Sequence, residues 1–514
     1  MPRLNRFEID IFNNILTAIA EEMGKLLTRS ALSANIKERR DHSCAIFNAG
    51  GEMIAQAAHI PVHLGSMSFS VAAVLDEKEF RDGDVFILND PFRGGTHLPD
   101  ITCVRAVFVG GKPGFYLAVR AHHADVGGKT PGSMPLSSSV EEEGVVIPPT
   151  LIARDGGIDR RLIDKITSGM RNRRERLGDL SAQIAALEAG GGRLAQTVEK
   201  YSAAGIGGAA DMLLDYGEAI MRDTIRRIPD GSYLFTDYLD DDGLGTENIP
   251  VRARVTIDGD AAEVDLSGSS PPVKGCLNAP FSVAVSAVLY VFQCLAPDDI
   301  PLNSGPLRAI RILADEPSIL NARYPSAVAG GNVETSQRIA DAVFGALREA
   351  IPERIQAAGA GTMNNLTFGG EGFVCYETIG GGMGARSGID GVSAVQTHMT
   401  NTLNTPVEAL EREFPVRIES YSIRENSGGA GRFRGGSGIV RQYGFLEPAT
   451  VCLITDRRKH SPGGACGGGD GGRGRNLLIR GGEQTELAGK HSFEARRGDI
   501  LSIETPGGGG WGRP

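Results

Sequence analysis

The chain reads as an α+β (mixed α/β) protein of several domains. Its 514 residues are too many for one compact core. Apolar residues recur at strand spacing in some stretches and at helical spacing in others. Seventy glycines, about twice the usual ~7% share, predict many turns and close backbone approaches. The expected division is an N-terminal domain over 1–228 with a candidate metal site and a helical segment, a central α/β domain over 229–414, and a β-rich domain over 415–514.

Residues 7–35 carry Ile9, Phe12, Ile15, Leu16, Ile19, Met23, Leu26 and Leu27 at helical spacing, which predicts one long amphipathic helix. Cys44 to Phe47 and Glu52 to Gln56 flank a turn at 48–51 and predict a hairpin. His59-Ile60-Pro61-Val62-His63 is a loop before a helix over 66–77; taken alone, its histidines read as packed. Ile101 to Val119 is rich in Val, Phe and Tyr and is interrupted by Gly110-Gly111-Lys112-Pro113-Gly114, so it predicts a second hairpin. A Gly/Pro/Ser loop over 127–139 leads to Glu141-Glu142-Glu143, a mainly solvated run with one candidate inward-facing base.

Residues 159–228 are the most helical part, and Gly190-Gly191-Gly192 is expected to break that helix. Arg171, Arg173, Arg174 and Arg176 read as a solvated basic face. After the turn at 229–232, strands are expected at Tyr233–Leu239, Val251–Ile257 and Ala262–Leu266, with helices over 280–296 and 335–350. The second helix opens at Gly330-Gly331-Asn332-Val333-Glu334, an N-terminus that suits either an anionic group or ordinary capping. Residues 415–514 read as strands with glycine turns.

The chemistry concentrates at the second hairpin. Asn89 to Asp100 contains His97-x-x-Asp100, and Arg120 to Gly128 contains His122-x-x-Asp125. A hairpin returns the chain to its starting edge, so these segments are expected side by side at its open end. One such motif more often caps a turn; two at the ends of one hairpin favour a mixed His/Asp site for a divalent metal. Six of the nine histidines lie between residues 42 and 123, and histidine is the commonest side-chain metal ligand. Asp41, at a strand entrance, reads alone as a cap or a partner of Arg39 or Arg40.

Other chemistries find no support. The net charge of −10 gives no reason to expect nucleic-acid binding. No stretch approaches the ~20 apolar residues of a membrane span, and the first residues lack an apolar signal core. Seven scattered cysteines without a CxxC pair fit reduced thiols and a cytoplasmic location. Gly128-Lys129-Thr130 fails as a phosphate loop because His123 stands where its first glycine is required. Gly469 to Gly474 matches G-x-G-x-x-G but precedes a strand pattern, so no nucleotide site is expected.

The runs 35–44, 59–67, 89–100, 120–135, 143–149, 176–186, 331–343 and 505–511, in that order, resemble the hydantoinase B / 5-oxoprolinase B-half family. That family includes the B-type component of N-methylhydantoinase, the lactamase component of caprolactamase and the metal-bearing component of acetone carboxylase. The resemblance implies a metal-dependent hydrolytic subunit that opens a hydantoin, 5-oxoproline or another lactam after a hydantoinase A-type ATPase subunit has phosphorylated it. It implies a hetero-oligomer such as a dimer of heterodimers, and one divalent ion (zinc, manganese or iron) on Asp41, His97, Asp100 and His122. His123, Asp125 and Glu143 are then the candidates for moving protons, and Arg93, Asn332 and Glu334 for binding substrate. Two alternatives remain: the metal-bearing subunit of an ATP-dependent ketone carboxylase, or a non-catalytic scaffold of the ATPase subunit. His42 departs from the pattern, standing where an aromatic residue is expected in many relatives.

Overall fold

The computed structural model describes residues 6–57, 59–154 and 157–514. The first helix, α1 (Arg6–Ser30), ends earlier than its periodicity predicts, and a single turn, Ala34–Lys37, follows. Between them the N–H groups of Leu32 and Ser33 donate to Asp179 Oδ1 at 2.8 and 3.1 Å instead of continuing the helical ladder. This long-range bond is invisible to local periodicity.

A seven-stranded antiparallel sheet follows. Its members are β1 (His42–Asn48), β2 (Met53–Gln56), β3 (Val85–Leu88), β4 (Asp100–Val109), β5 (Lys112–His122), β6 (Thr150–Arg154) and β7 (Gly157–Ile158), in the order β2-β1-β5-β4-β3-β6-β7. Both predicted hairpins are present. Side chains alternate across the sheet, as a two-residue period requires. Cys44, Ile46, Ile101, Cys103, Leu117 and Val119 face a core shared with α1 and a long helix, α3 (Arg173–Tyr201). Ala45, Phe47, Val104, Ala106 and Ala118 face the opposite core, under Met67, Val71 and Val74 of α2 (His63–Glu77).

Helix α3 runs unbroken through Gly190-Gly191-Gly192, against expectation. A Cβ on Gly190 would lie 2.4 Å from Met23 Sδ, so the glycine lets α1 approach, and this packing outweighs glycine's poor helix propensity. Arg176 is likewise not solvated. It is fully buried and paired with Glu175 at 2.9 Å and Asp179 at 3.4 Å.

The middle of the chain forms a four-stranded sheet in the order β11-β10-β9-β8: β8 (Gly231–Asp241), β9 (Glu247–Asp258), β10 (Ala261–Asp265) and β11 (Ile310–Leu313). Helices α5 (Phe281–Gln293) and α6 (Ser336–Ala350) share its core; α4 (Ala203–Arg226) precedes it in the chain. Two more sheets complete the fold. One joins β12 (Asn365–Gly370) and β13 (Phe373–Glu377) to β16 (Ala449–Ile454) and β19 (Lys490–Ala495). The other has the order β14-β15-β20-β17-β18, from β14 (Val416–Arg424), β15 (Gly438–Phe445), β20 (Ile500–Glu504), β17 (Arg475–Arg480) and β18 (Glu483–Leu487). Strands on both sides of residue 414 therefore share one sheet. The mixed α+β class holds.

The glycines of the last third have a packing role. Irregular segments lie side by side, bonded N–H to carbonyl: Gly429 to Gly508, Gly508 to Gly436, Gly436 to Met383, and Gly510 to Gly469. A Cβ on Gly436 would fall 2.0 Å from Val392 O, and one on Gly508 2.0 Å from Met383 O. Gly469 to Gly474, which mimics a dinucleotide motif, belongs to this lattice.

Buried charges tie the central and C-terminal sheets together. Arg338 pairs with Asp237 at 3.0 Å, Asp341 at 2.9 Å and Asp456 at 3.1 Å. Lys490 adds a 2.5 Å contact to Asp456. Beside them Glu334 Oε1 accepts from Thr362 Oγ1, Met363 N and Asn365 Nδ2. Burial, and then the charge of Asp456, push the Glu334 carboxyl from an ordinary 4.5 up to about 8. Its contribution to stability is therefore full below its ordinary value and is lost as pH rises towards 8. Glu334→Gln keeps the acceptor and cannot ionise. It is expected to flatten the stability profile across that window, an effect on the order of a few kcal/mol. Urea unfolding of both proteins at the two ends of the window checks this; identical slopes would contradict it.

Candidate metal centre

The centre is built by one loop and one register. Asn89 braces the loop before β4: its Nδ2 donates to Leu98 O and Val145 O, and its Oδ1 accepts from Ile147 N. The chain turns at Pro91–Arg93 and leaves through Gly94 at φ +93°, where a Cβ would meet Phe69 O at 2.4 Å. The loop delivers His97 and Asp100 to the start of β4. There Asp100 lies opposite His122 across the β4–β5 ladder. On the other side of β5, His42 pairs with Ala121, and Asp41 O accepts from His122 N at 3.0 Å.

Ligand atoms of His97, Asp100 and His122 all lie within 4.8 Å of one another, and all three residues are buried. Asp100 Oδ1 is 3.3 Å from His97 Nε2 and 3.4 Å from His122 Nδ1. Its Oδ2 is fully engaged, accepting from Thr96 Oγ1 at 2.7 Å, His63 Nε2 at 3.3 Å and Asn332 Nδ2 at 3.3 Å. His97 Nδ1 donates to Ala329 O at 3.2 Å, which leaves Nε2 as the free lone pair. His97 Nε2, Asp100 Oδ1 and His122 Nε2 are buried without a hydrogen-bond partner. Unsatisfied buried polar atoms are costly, and imidazole nitrogen with carboxylate oxygen is a donor set for a borderline divalent cation. The residues fit a metal ion.

Asp41 stands further out, its Oδ2 4.0 Å from both His122 Nδ1 and Arg39 Nη2. The His122 ring stacks on Tyr376 with centroids 4.5 Å apart, and the Arg39 guanidinium lies 4.6 Å from the centroid of the same ring. Asp41, His63, Asp100, His122, Asn332 and Tyr376 line a chamber of about 20 Å³. Burial works against the charge of Asp100, but His97 and His63 outweigh it and hold its carboxyl well below the ordinary range. Burial opposes the charged form of His97 too, yet Asp100 outweighs this and raises its pKa; burial lowers that of His122.

Only half of the second His-x-x-Asp motif reaches the centre. His123 turns to α3, its Nε2 2.9 Å from Gln183 Oε1. Asp125 organises the following loop: it accepts from Gly127 N, Gly132 N and Arg171 N, and pairs with Arg171 Nη1 at 3.1 Å. Glu143 is fully buried behind His97, accepting from Ser137 Oγ, Val328 N and Ala329 N; burial pushes its carboxyl up to about 7. Asn332 reaches the chamber from a π-helical turn, Gly331–Thr335, whereas Glu334 of that turn belongs to the network around Asp456. Arg93 is exposed on its turn and does not line the chamber. His63, which reads from sequence as packed, is at the centre, held by Asp100 and by Ser43 Oγ 2.9 Å from its Nδ1. Its signal in the sequence was the crowding of histidine between residues 42 and 123.

Residues 5–514 match the family model described as hydantoinase B/oxoprolinase. The chain belongs to the hydantoinase B/oxoprolinase family. A protein of Methanocaldococcus jannaschii, MJ0963, is 42% identical across 99% of this chain and 91% of its own length. The 5-oxoprolinase 1 of Arabidopsis thaliana is 40% identical across 98% of this chain, which spans only 42% of that longer protein. Among solved structures, the ATP-dependent caprolactamase of Pseudomonas jessenii superposes with a TM-score of 0.93 at 28% identity, covering 99% of this chain and 92% of that one. An acetone carboxylase structure shares the fold, with a TM-score of 0.88 at 18% identity over 98% of this chain and 76% of that one.

In this member of the hydantoinase B/oxoprolinase family the approach of Asn332 depends on Gly331. A Cβ there would lie 1.9 Å from Asn278 O, a backbone atom that cannot swing away. Gly331→Ala is expected to cost at least ~1–3 kcal/mol of stability. Thermal unfolding checks this; an unchanged midpoint would contradict it.

Proposed function

We propose that this chain is the metal-dependent hydrolytic subunit of an ATP-dependent cyclic amide hydrolase. It would act on a hydantoin, 5-oxoproline or another lactam activated by a hydantoinase A-type ATPase partner. The observation that carries this reading is the buried convergence of His97 Nε2 and His122 Nδ1 on Asp100 Oδ1, at 3.3 and 3.4 Å, beside the chamber. The names of its relatives, a 5-oxoprolinase and an ATP-dependent caprolactamase, support the substrate class and the use of ATP.

An amide carbonyl is stabilised by resonance with its nitrogen and resists attack by water, which is why activation by phosphorylation fits such a site. A divalent ion on His97, Asp100 and His122, with Asp41 beside them, supplies Lewis acidity towards water and the carbonyl oxygen. The chain does the rest. Thr96, His63 and Asn332 pin Asp100 Oδ2 and so aim Oδ1 inward. Ala329 O fixes the tautomer of His97, and Glu143 holds the Val328–Ala329 backbone that carries this carbonyl. Tyr376 holds the plane of His122 by stacking. His63, rather than His123 or Asp125, is the histidine at the chamber wall, and its bonds to Asp100 Oδ2 and Ser43 Oγ make it a positioning residue for the Asp100 carboxylate.

His97→Ala and His122→Ala are each expected to lose about one equivalent of divalent metal relative to wild type, read by elemental analysis. With an A-type partner and ATP, the wild type is expected to open a lactam ring without bicarbonate, and both variants to be inactive. Full activity in either variant, or a bicarbonate requirement with a carboxylated product, would overturn the reading.

A further inference from the structure

We propose a second metal site in this chain, for a zinc-class cation, formed by His42, Cys44 and His59 on the face of β1 away from the centre. Strand β1 carries two rows. Asp41 and Ser43 point to the first centre, through His122 and His63. His42 and Cys44, two residues apart, point the other way, towards α1, where His59 joins them from the segment after β2. One ligand atom from each of the three lies within 4.8 Å of the others.

The hydrogen bonds leave His42 poised as a ligand. Thr28 Oγ1 donates to Gly24 O at 3.0 Å, so at 2.9 Å from His42 it accepts from Nε2–H. The other nitrogen, Nδ1, then carries the lone pair, and it is buried without a partner in a side chain only 2% exposed. His59 Nδ1 accepts from Cys44 N–H at 3.3 Å, which turns its lone pair towards the cysteine; this long bond is the one His59 exchanges for the ion. Cys44 is a free, buried thiol. The space is kept open by glycine: a Cβ on Gly24 would lie 2.6 Å from His59 Cε1 and 3.3 Å from His42 Cε1.

A thiolate and two imidazoles are the donors preferred by Zn²⁺, with Zn–S near ~2.3 Å and Zn–N near ~2.0 Å. Closing the triangle to those lengths needs movements of about 1 Å, which His59 can make because it borders open space. His42 and His59 both line a cavity of about 570 Å³, from which the ion can enter and water can supply a fourth ligand. On binding, the Cys44 S–H bond breaks, its proton passes to solvent and the sulfur's electron pair forms the S–Zn bond; nothing is oxidised or reduced.

The test does not rest on the proposed hydrolysis. The full chain is stripped of metal with a chelator and titrated with Co²⁺ and with Zn²⁺. Wild type and His97→Ala are expected to show thiolate-to-cobalt charge-transfer absorption, and Cys44→Ser to lack it. Zinc binding is expected to fall from about two equivalents in wild type to about one in Cys44→Ser and to about one in His97→Ala. His59→Phe, a change at the cavity wall, is expected to weaken zinc binding at this site at least about tenfold with the fold intact by circular dichroism; it decides the matter if Cys44→Ser fails to fold. No charge-transfer band in folded wild type, a band that survives Cys44→Ser, or unchanged zinc affinity in His59→Phe would overturn the proposal.

Discussion

The antiparallel register that sets Asp100 opposite His122 governs the rest of the centre. Side chains alternate across a sheet with a period of two, so a slip of one residue would send His122 to the face that now holds Ala121. Several contacts lock the register from outside the ladder. Gln183 Nε2 donates to Ile101 O at 2.9 Å and Val119 O at 3.2 Å, tying both strands of the hairpin to α3. Arg120, fully buried, donates to Thr102 Oγ1 across the same pair and reaches Ser66 and Ser70 of α2. The loop from Asn89 to Pro99 then has one way to enter β4, and it brings His97 with it. Three buried donors spent on one oxygen of Asp100 leave the other oxygen no choice of direction.

The hairpin and the meeting of its two ends were legible because both rest on local pattern. Ile101 to Val119 announces its strands by apolar β-branched and aromatic residues, and the Gly-Gly-Lys-Pro-Gly break announces the turn. Convergence of His97, Asp100 and His122 then follows from the return of the chain. What stayed hidden depends on partners far along the sequence. His63 becomes part of the centre only because α2 docks against β1 and β4, 37 residues from Asp100. Asp125 has the same spacing from His122 as Asp100 has from His97, yet Arg171 and two loop N–H groups claim it. Glu334 and Asn332 are two residues apart on one turn and serve unrelated networks. Triple glycine at 190–192 signals a break locally, and only the arrival of Met23 turns it into a packing surface.

Glycine abundance is another case where composition was right about physics and silent about place. Close backbone approach was the expected meaning of 70 glycines. The structure puts much of it in one lattice of segments from 380–384, 427–438, 463–474 and 505–512, where a Cβ would fall within about 2 Å of a neighbouring carbonyl oxygen at several positions. That lattice accounts for the glycine motif at 469–474. The N–H groups of Gly469, Gly471, Gly472 and Gly474 donate to the carbonyls of Ala430, Pro462, Ser427 and Arg457, so the donors this motif would offer a pyrophosphate are already engaged.

The centre also bears on how the longer relatives are organised. The side chains gathered at Asp100 come from widely separated stretches: Asp41 and His63 from the first, Thr96, His97 and His122 from the hairpin, Asn332 from the turn before α6, and Tyr376 from β13. All of them lie in the part that this chain shares with the 5-oxoprolinase of Arabidopsis, 42% of that protein's length. Whatever the remaining length of such a protein does, it is not needed to assemble this constellation. What sets the centre apart is asymmetry: three donors hold one oxygen of Asp100, while its other oxygen lies bare 3.3 Å from His97 Nε2 and 3.4 Å from His122 Nδ1, the arrangement in which surrounding hydrogen bonds orient a ligand set.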